Sequence, residues 1–168
     1  MSRSSKSPLP SFFKGGGTAL LLAFLLASCA SGPPRRVSEP TASIQQLTVR
    51  SDGSWSVDLR LQNYSSIPMR FEGVSLAIKL GEEDAGTLQH QPRITIGPET
   101  ADVVTVTFTP NAGARILLAD ALADGRGVDY ALDGTIDASP DDREKVRSYE
   151  IERKSGLSPV PGLPGVLR

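Results

Sequence analysis

Between positions 55 and 62 the chain alternates without a break. Trp55, Val57, Leu59 and Leu61 are apolar, and Ser56, Asp58, Arg60 and Gln62 lie between them. A period of two is the strand period. One apolar face and one wet face are what an antiparallel sheet covered on one side requires. The alternation ends in a polar corner, Gln62-Asn63-Tyr64-Ser65-Ser66, after which Ile67-Pro68 leads into a second apolar run. In that run Met69 and Phe71 share one parity, whereas Val74, Leu76, Ile78 and Leu80 share the other. Both halves can face one core only if an extra residue is inserted where the parity changes, so a β-bulge is predicted at Gly73. Asn63 is expected to close the corner by bonding backbone groups, as Asn does in turns.

The flanking segments continue this grammar. A first strand is predicted over Ile44 to Arg50, with Ser51-Asp52-Gly53 as the turn into the second strand, Ser54 to Gln62. The third runs from Met69 to Leu80 and is followed by a turn at Gly81-Glu82-Glu83-Asp84. Short strands follow near Gly86 to Gln89 and at Arg93 to Ile96. A longer one spans Asp102 to Thr109, with Val104, Val106 and Phe108 inward. The period then changes. Asn111 is placed to cap a helix through its side-chain oxygen. That helix reads as Ala112 to Ala123, with either Ile116, Leu117 and Ala121 or Leu118 and Leu122 towards the sheet, and Gly125 stops it. Val128, Tyr130, Leu132 and Ile136 return to period two, with a kink at Gly134. Ser139-Pro140-Asp141-Asp142 reads as the start of one more helical turn. Val146, Tyr149 and Ile151 form a last strand. About seven or eight short strands with one helix predict an all-β sandwich, with a barrel as the second choice.

Residues 1–28 stand apart from this pattern. They hold Arg3, Lys6 and Lys14, then an apolar run from Thr18 to Leu26, then Ala27-Ser28-Cys29. A basic start, a short apolar stretch and small residues make a secretory signal. The run is too short to span a bilayer, which takes roughly 20 residues. Leu26-Ala27-Ser28-Cys29 resembles the bacterial lipobox, in which the signal is cleaved before a cysteine that becomes acylated. Cys29 is the only cysteine, so the domain is stabilised without an internal disulfide. Residues 29–42, rich in proline, form a lipidated tether, and the folded domain is assigned to residues 43–156. Residues 157–168 are a Pro/Gly-rich tail expected to be partly loose. The lipobox implies a partner, the lipid bilayer reached through Cys29. Ala30 after the cysteine is the outer-membrane sorting pattern, which implies the bacterial envelope and the periplasmic face of its outer membrane.

Cleavage would remove three basic residues and no acidic one, turning the net charge of −1 into −4. A mildly acidic surface argues against a nucleic-acid binder. His90 is the only histidine, and it sits in a polar stretch, Gln89-His90-Gln91-Pro92, with no nucleophile elbow beside it. A triad needs an oriented nucleophile and an oxyanion hole, and zinc needs several His or Cys ligands. Glu82-Glu83-Asp84 and Asp137 with Asp141-Asp142 lack the spacing of a helix–loop–helix calcium site and read as a charged turn and a helix start. Gly125-Arg126-Gly127 lacks the third glycine of a dinucleotide loop. No cofactor, metal or catalytic residue is expected.

Leu61-Gln62-Asn63 and Ile67-Pro68-Met69-Arg70-Phe71-Glu72-Gly73 together resemble the water stress and hypersensitive response (WHy) domain of type 2 late embryogenesis abundant (LEA) proteins. Glu83-Asp84-Ala85-Gly86, Ile96-Gly97-Pro98-Glu99-Thr100 and Val128-Asp129-Tyr130-Ala131-Leu132-Asp133-Gly134-Thr135 are similar to its later blocks. The resemblance covers about Ile44 to Pro161. Tyr64 stands where the family often has proline. The resemblance implies a β-sandwich of fibronectin type III or immunoglobulin-like architecture with one short helix. Asn63, Pro68, Gly73, Gly86, Tyr130 and Gly134 are then motif positions with structural roles. It also implies a non-enzymatic role in desiccation, osmotic or other stress, through protection or protein interaction. The alternative is an adaptor or a small-ligand or lipid-binding component of an envelope assembly or transport system.

Overall fold

A computed structural model of the chain describes residues 35–141 and 145–168. The expected signal peptide, Cys29 and Asp142 lie outside the described residues. Nine strands and one helix are present among those described: β1 (Thr41–Val49), β2 (Trp55–Gln62), β3 (Met69–Leu80), β4 (Glu83–His90), β5 (Ile94–Ile96), β6 (Ala101–Phe108), α1 (Ala112–Ala123), β7 (Val128–Pro140), β8 (Arg147–Leu157) and β9 (Val166–Leu167). They form two antiparallel sheets. One is four-stranded in the order β6-β2-β1-β9; the other is five-stranded, β4-β3-β7-β8, with β5 also paired to β3. The fold is an all-β sandwich.

The inward parity of each strand builds the core. From β2 come Trp55, Val57, Leu59 and Leu61, and from β3 Met69, Phe71, Val74, Leu76, Ile78 and Leu80, all buried. Beside β3 in the same sheet, β7 adds Val128, Tyr130, Leu132, Ile136 and Ala138. Each fully buried side chain of this size contributes about 1.5–3 kcal/mol. The rings of Trp55 and Phe108 meet with centroids 6.1 Å apart and planes tilted by 57°, a favourable aromatic geometry.

β3 stays in this core across its parity switch because it is bulged. Its register against β7 passes from Phe71–Ala138 to Gly73–Asp137, leaving Glu72 as the extra residue. The Glu72 carboxylate turns back to Arg70 Nε at 2.6 Å. A second bulge interrupts β4, where Ile78 pairs with Gly86 but Lys79 pairs with Asp84. The strand begins at Glu83, so only Gly81-Glu82 remain of the longer turn expected there.

Several expectations are corrected. Asn111 occupies the N-cap position of α1 but makes no side-chain cap; its Nδ2–H instead donates to the Asp84 carbonyl at 3.1 Å. Pinning the helix start to β4 takes precedence over satisfying the first turn. The buried face of α1 is Ala114, Leu118 and Ala121, while Ile116 is 64% exposed. Neither predicted face is inward as a whole: the buried one takes Leu118 from one and Ala121 from the other, with Leu117 and Leu122 both half-buried. At the other end Gly125 has φ +63°, and Arg126 N–H donates to the Ala121 carbonyl at 2.8 Å, closing a Schellman stop. Ser139 and Pro140 do not open a helix, because they are the last residues of β7.

The C-terminal tail is folded rather than loose. Ser158 and Arg168 exchange two backbone hydrogen bonds of 2.7 and 2.9 Å, and Val166–Leu167 pairs with Leu47 and Thr48 of β1. Leu167 is fully buried. This apolar side chain covers the end of the core beside β1, which overrides the high proline and glycine content around it. The amino-terminal stretch is corrected in the same way: β1 starts at Thr41, Pro40 is buried, and Arg36 and Ser38 are hydrogen-bonded to the rest of the domain.

Candidate functional site

The corner between β2 and β3 concentrates the polar chemistry of the domain. Asn63 is 1% exposed. Its Nδ2 donates to the carbonyls of Ile67 at 2.9 Å, Ile96 at 3.1 Å and Gly97 at 2.8 Å. Two N–H bonds serve three carbonyls, so one is shared. Its Oδ1 accepts the Ser65 N–H at 2.8 Å, and its own N–H donates to Thr100 O at 2.9 Å. One side chain thereby ties the β2–β3 corner to the β5–β6 corner. Asn63-Tyr64-Ser65 has the form of a glycosylation acceptor, but a buried amide with these partners is not available for it. Pro68 is exposed and sets up entry to β3; its carbonyl accepts the Asp141 N–H at 3.1 Å from the end of β7.

The amino-terminal segment is seated on this corner. Ser66 N–H donates to Arg36 O at 2.9 Å, and Arg36 N–H donates to Ser66 Oγ at 2.8 Å. Ser65 is fully buried, and its hydroxyl accepts the Ser38 N–H at 3.0 Å and donates to Ser38 O at 3.2 Å. The Arg36 guanidinium reaches Tyr64 O and Glu99 Oε1, both at 3.2 Å. Sequence reasoning missed Arg36, Ser38, Ser65 and Glu99. No local spacing could reveal pairings between residues 27 to 63 positions apart.

The other motif positions hold the scaffold. The Tyr130 hydroxyl accepts the buried Ile44 N–H at 3.1 Å, joining β7 of one sheet to β1 of the other. Gly134 has φ +151°, and a Cβ there would collide with the Ser75 carbonyl of β3. The backbones therefore approach only because position 134 has no side chain. A Cβ on Gly73 would stand 3.1 Å from Asp137 Oδ2, and one on Gly86, at φ +112°, 3.4 Å from the Phe108 ring. Gly86 N–H donates to Asp84 Oδ1 at 2.8 Å.

Across the outer face of the five-stranded sheet runs an open depression of about 1000 Å³, lined by Ala77, Lys79, Asp133, Glu152 and Lys154 among others. Small alanines flanked by charges of both signs line it. Among the described residues no group of three His, Cys, Asp or Glu side chains is placed to hold a metal. Asp52, in the turn opposite the Asn63 corner, has its carboxyl held below the usual range by the Ser54 hydroxyl first and the Ser54 N–H second, at 2.6 and 2.9 Å. That is turn chemistry, not a reactive site. Among the described residues no helix is long and apolar enough to cross a membrane.

Sandwich, bulges and corner define a small β-domain whose distinctive residues are architectural. The model of the late embryogenesis abundant protein family LEA_2 matches residues 58–147, just over half of the chain, and the chain belongs to that family. No protein of curated function matches it. Solved structures with a similar shape include a protein from Archaeoglobus fulgidus, at 13% identity and TM-score 0.44, covering 74% of this chain and 98% of that one. Another is from Arabidopsis thaliana, at 12% identity and TM-score 0.45, covering 77% and 84%. A third, assigned to the LEA group, has 13% identity and TM-score 0.47, covering 88% and 81%.

Proposed function

We propose that this chain is a lipid-anchored, non-enzymatic protein of the bacterial cell envelope, most simply of the outer membrane facing the periplasm. Its LEA type 2 domain serves protection against desiccation or osmotic stress, directly or by binding another protein. The observation that carries this reading is the Leu26-Ala27-Ser28-Cys29 box on the amino-terminal side of a LEA_2 domain. The LEA_2 family is generally non-enzymatic, and the domain's best-satisfied polar residues support backbone corners. Deleting the gene is expected to lower survival of drying or high osmolarity. The wild-type gene should restore it, and a Cys29→Ser gene should restore it poorly. Survival unchanged under every such stress would overturn the protective role.

A second reading, an adaptor in an envelope assembly, is favoured by one observation. β6 is a sheet edge of eight residues whose only charge is Asp102, and it exposes Val103. Such an edge can take an added strand. Cross-linking in membranes separates the two: one stoichiometric protein partner favours the adaptor. The small-ligand version would have to use the outer depression, because large side chains such as Trp55, Phe71 and Leu76 occupy the space between the sheets.

A further inference from the structure

The domain has two distinct poles. At one are the β2–β3 corner at Asn63, the β5–β6 corner at Gly97-Pro98-Glu99 and the end of β7, joined through Asn63 Nδ2 and through Asp141 N–H to Pro68 O. At the other are the Asp52-Gly53 turn, the Gly81 turn and α1, where positions 53 and 81 face Arg115 and Leu117. The eight residues of β2 run from one pole to the other, a distance of about 25 Å at about 3.3 Å per residue.

The chain enters the domain at the Asn63 pole. Arg36 and Ser38 are clasped there by Ser65 and Ser66 through four hydrogen bonds of 2.8 to 3.2 Å, and Pro40 is buried just behind them. Six residues separate Cys29 from Arg36 in the sequence, a reach of no more than about 25 Å even when fully extended. Around the entry point the pole presents Arg36, Tyr64 at 49% exposure, Pro68 and Pro98. An amphipathic tyrosine beside an arginine suits the headgroup layer of a bilayer, and the Arg36–Glu99 pair is exposed enough to exchange its carboxylate for a lipid phosphate.

We infer that residues 36–40 are a strap rather than a leash, and that they fix the Asn63 pole, with Arg36 and Tyr64, as the face the domain turns to the phospholipid surface. This rests on acylation of Cys29. It assigns the opposite pole, with α1 and the Asp52 turn, to the side facing away from the lipid. The test uses the full acylated protein in vesicles of phosphatidylethanolamine and phosphatidylglycerol that carry a headgroup-attached quencher. Because the lipid occupies the native thiol, a fluorophore can be placed on Pro98→Cys at the near pole or Ser51→Cys at the far pole. Quenching is expected to be at least about twofold stronger at position 98, given strand-length separation of the poles. Adding Arg36→Pro, which removes one clasping N–H at an exposed position, is expected to bring the two signals together while the circular dichroism spectrum stays unchanged. Equal quenching without that substitution, stronger quenching at position 51, or a ratio insensitive to Arg36→Pro would overturn the strap while leaving the anchor standing. A protein whose mass shows no acyl chain would overturn the anchor and the strap together.

Discussion

At the scale of single residues, the domain depends on a few buried polar atoms. Removing the Asn63 side chain would leave three carbonyls and the Ser65 N–H short of a partner. Asn63→Ala is therefore expected to destabilise by about 3 kcal/mol, read as a lower denaturant midpoint. Tyr130→Phe strands only the Ile44 N–H between the sheets, and a loss of about 1–3 kcal/mol is expected. Asp52 supplies a pH test. Its folded pKa lies below the ordinary value of 3.8, so its contribution is present above that value and is lost as the pH falls through the folded pKa. The difference in midpoint between wild type and Asp52→Asn should thus exist at pH 7 and shrink below about pH 3.8; a constant difference would assign the effect to something other than the charge. Asn63 and Gly73 were legible in the sequence because turn chemistry and a parity switch are local signals. The Ser65–Ser38 and Tyr130–Ile44 pairs were not, because each is made by folding that brings distant residues together.

Among the elements, the strands were read well and the ends of the chain poorly. Strict alternation located β2, β3 and β6 because burial on one face dictates every second residue. The helix was located by its change of period, but its orientation was left between two faces, since Ile116, Leu117, Leu118 and Leu122 form a nearly continuous apolar band. The structure buries a face that draws on both, Leu118 from one and Ala121 from the other, and leaves Ile116 exposed. Leu118→Ala should accordingly cost about 2–5 kcal/mol, and Ile116→Ala less than about 0.5 kcal/mol; the reverse order in thermal melts would mean that the helix docks by another face. Proline and glycine made residues 157–168 look loose, whereas a single buried side chain, Leu167, holds β9 against β1. Leu167→Ala is expected to lower stability by about 2–4 kcal/mol, and a neutral result would restore the loose tail.

Over the whole molecule, the two edges of the five-stranded sheet and the two of its partner are not equivalent. β8 carries Arg147, Glu150, Glu152, Arg153 and Lys154 along an edge, a pattern that discourages strand addition, while β6 on the other sheet has one acid in eight residues. Any protein partner recruited by strand pairing is therefore expected at β6, and Thr105→Pro, which removes an N–H from that strand, should weaken such a cross-link more than Arg153→Pro. The larger claim is that this sandwich works at a membrane to which its own amino-terminal cysteine is attached. The most direct test is the intact mass of the protein extracted from cell membranes. The account predicts a chain that begins at Cys29, carries acyl chains and leaves the membrane fraction on Cys29→Ser substitution. A chain that begins at Met1 with an unmodified thiol, or one equally membrane-bound after Cys29→Ser, would contradict it.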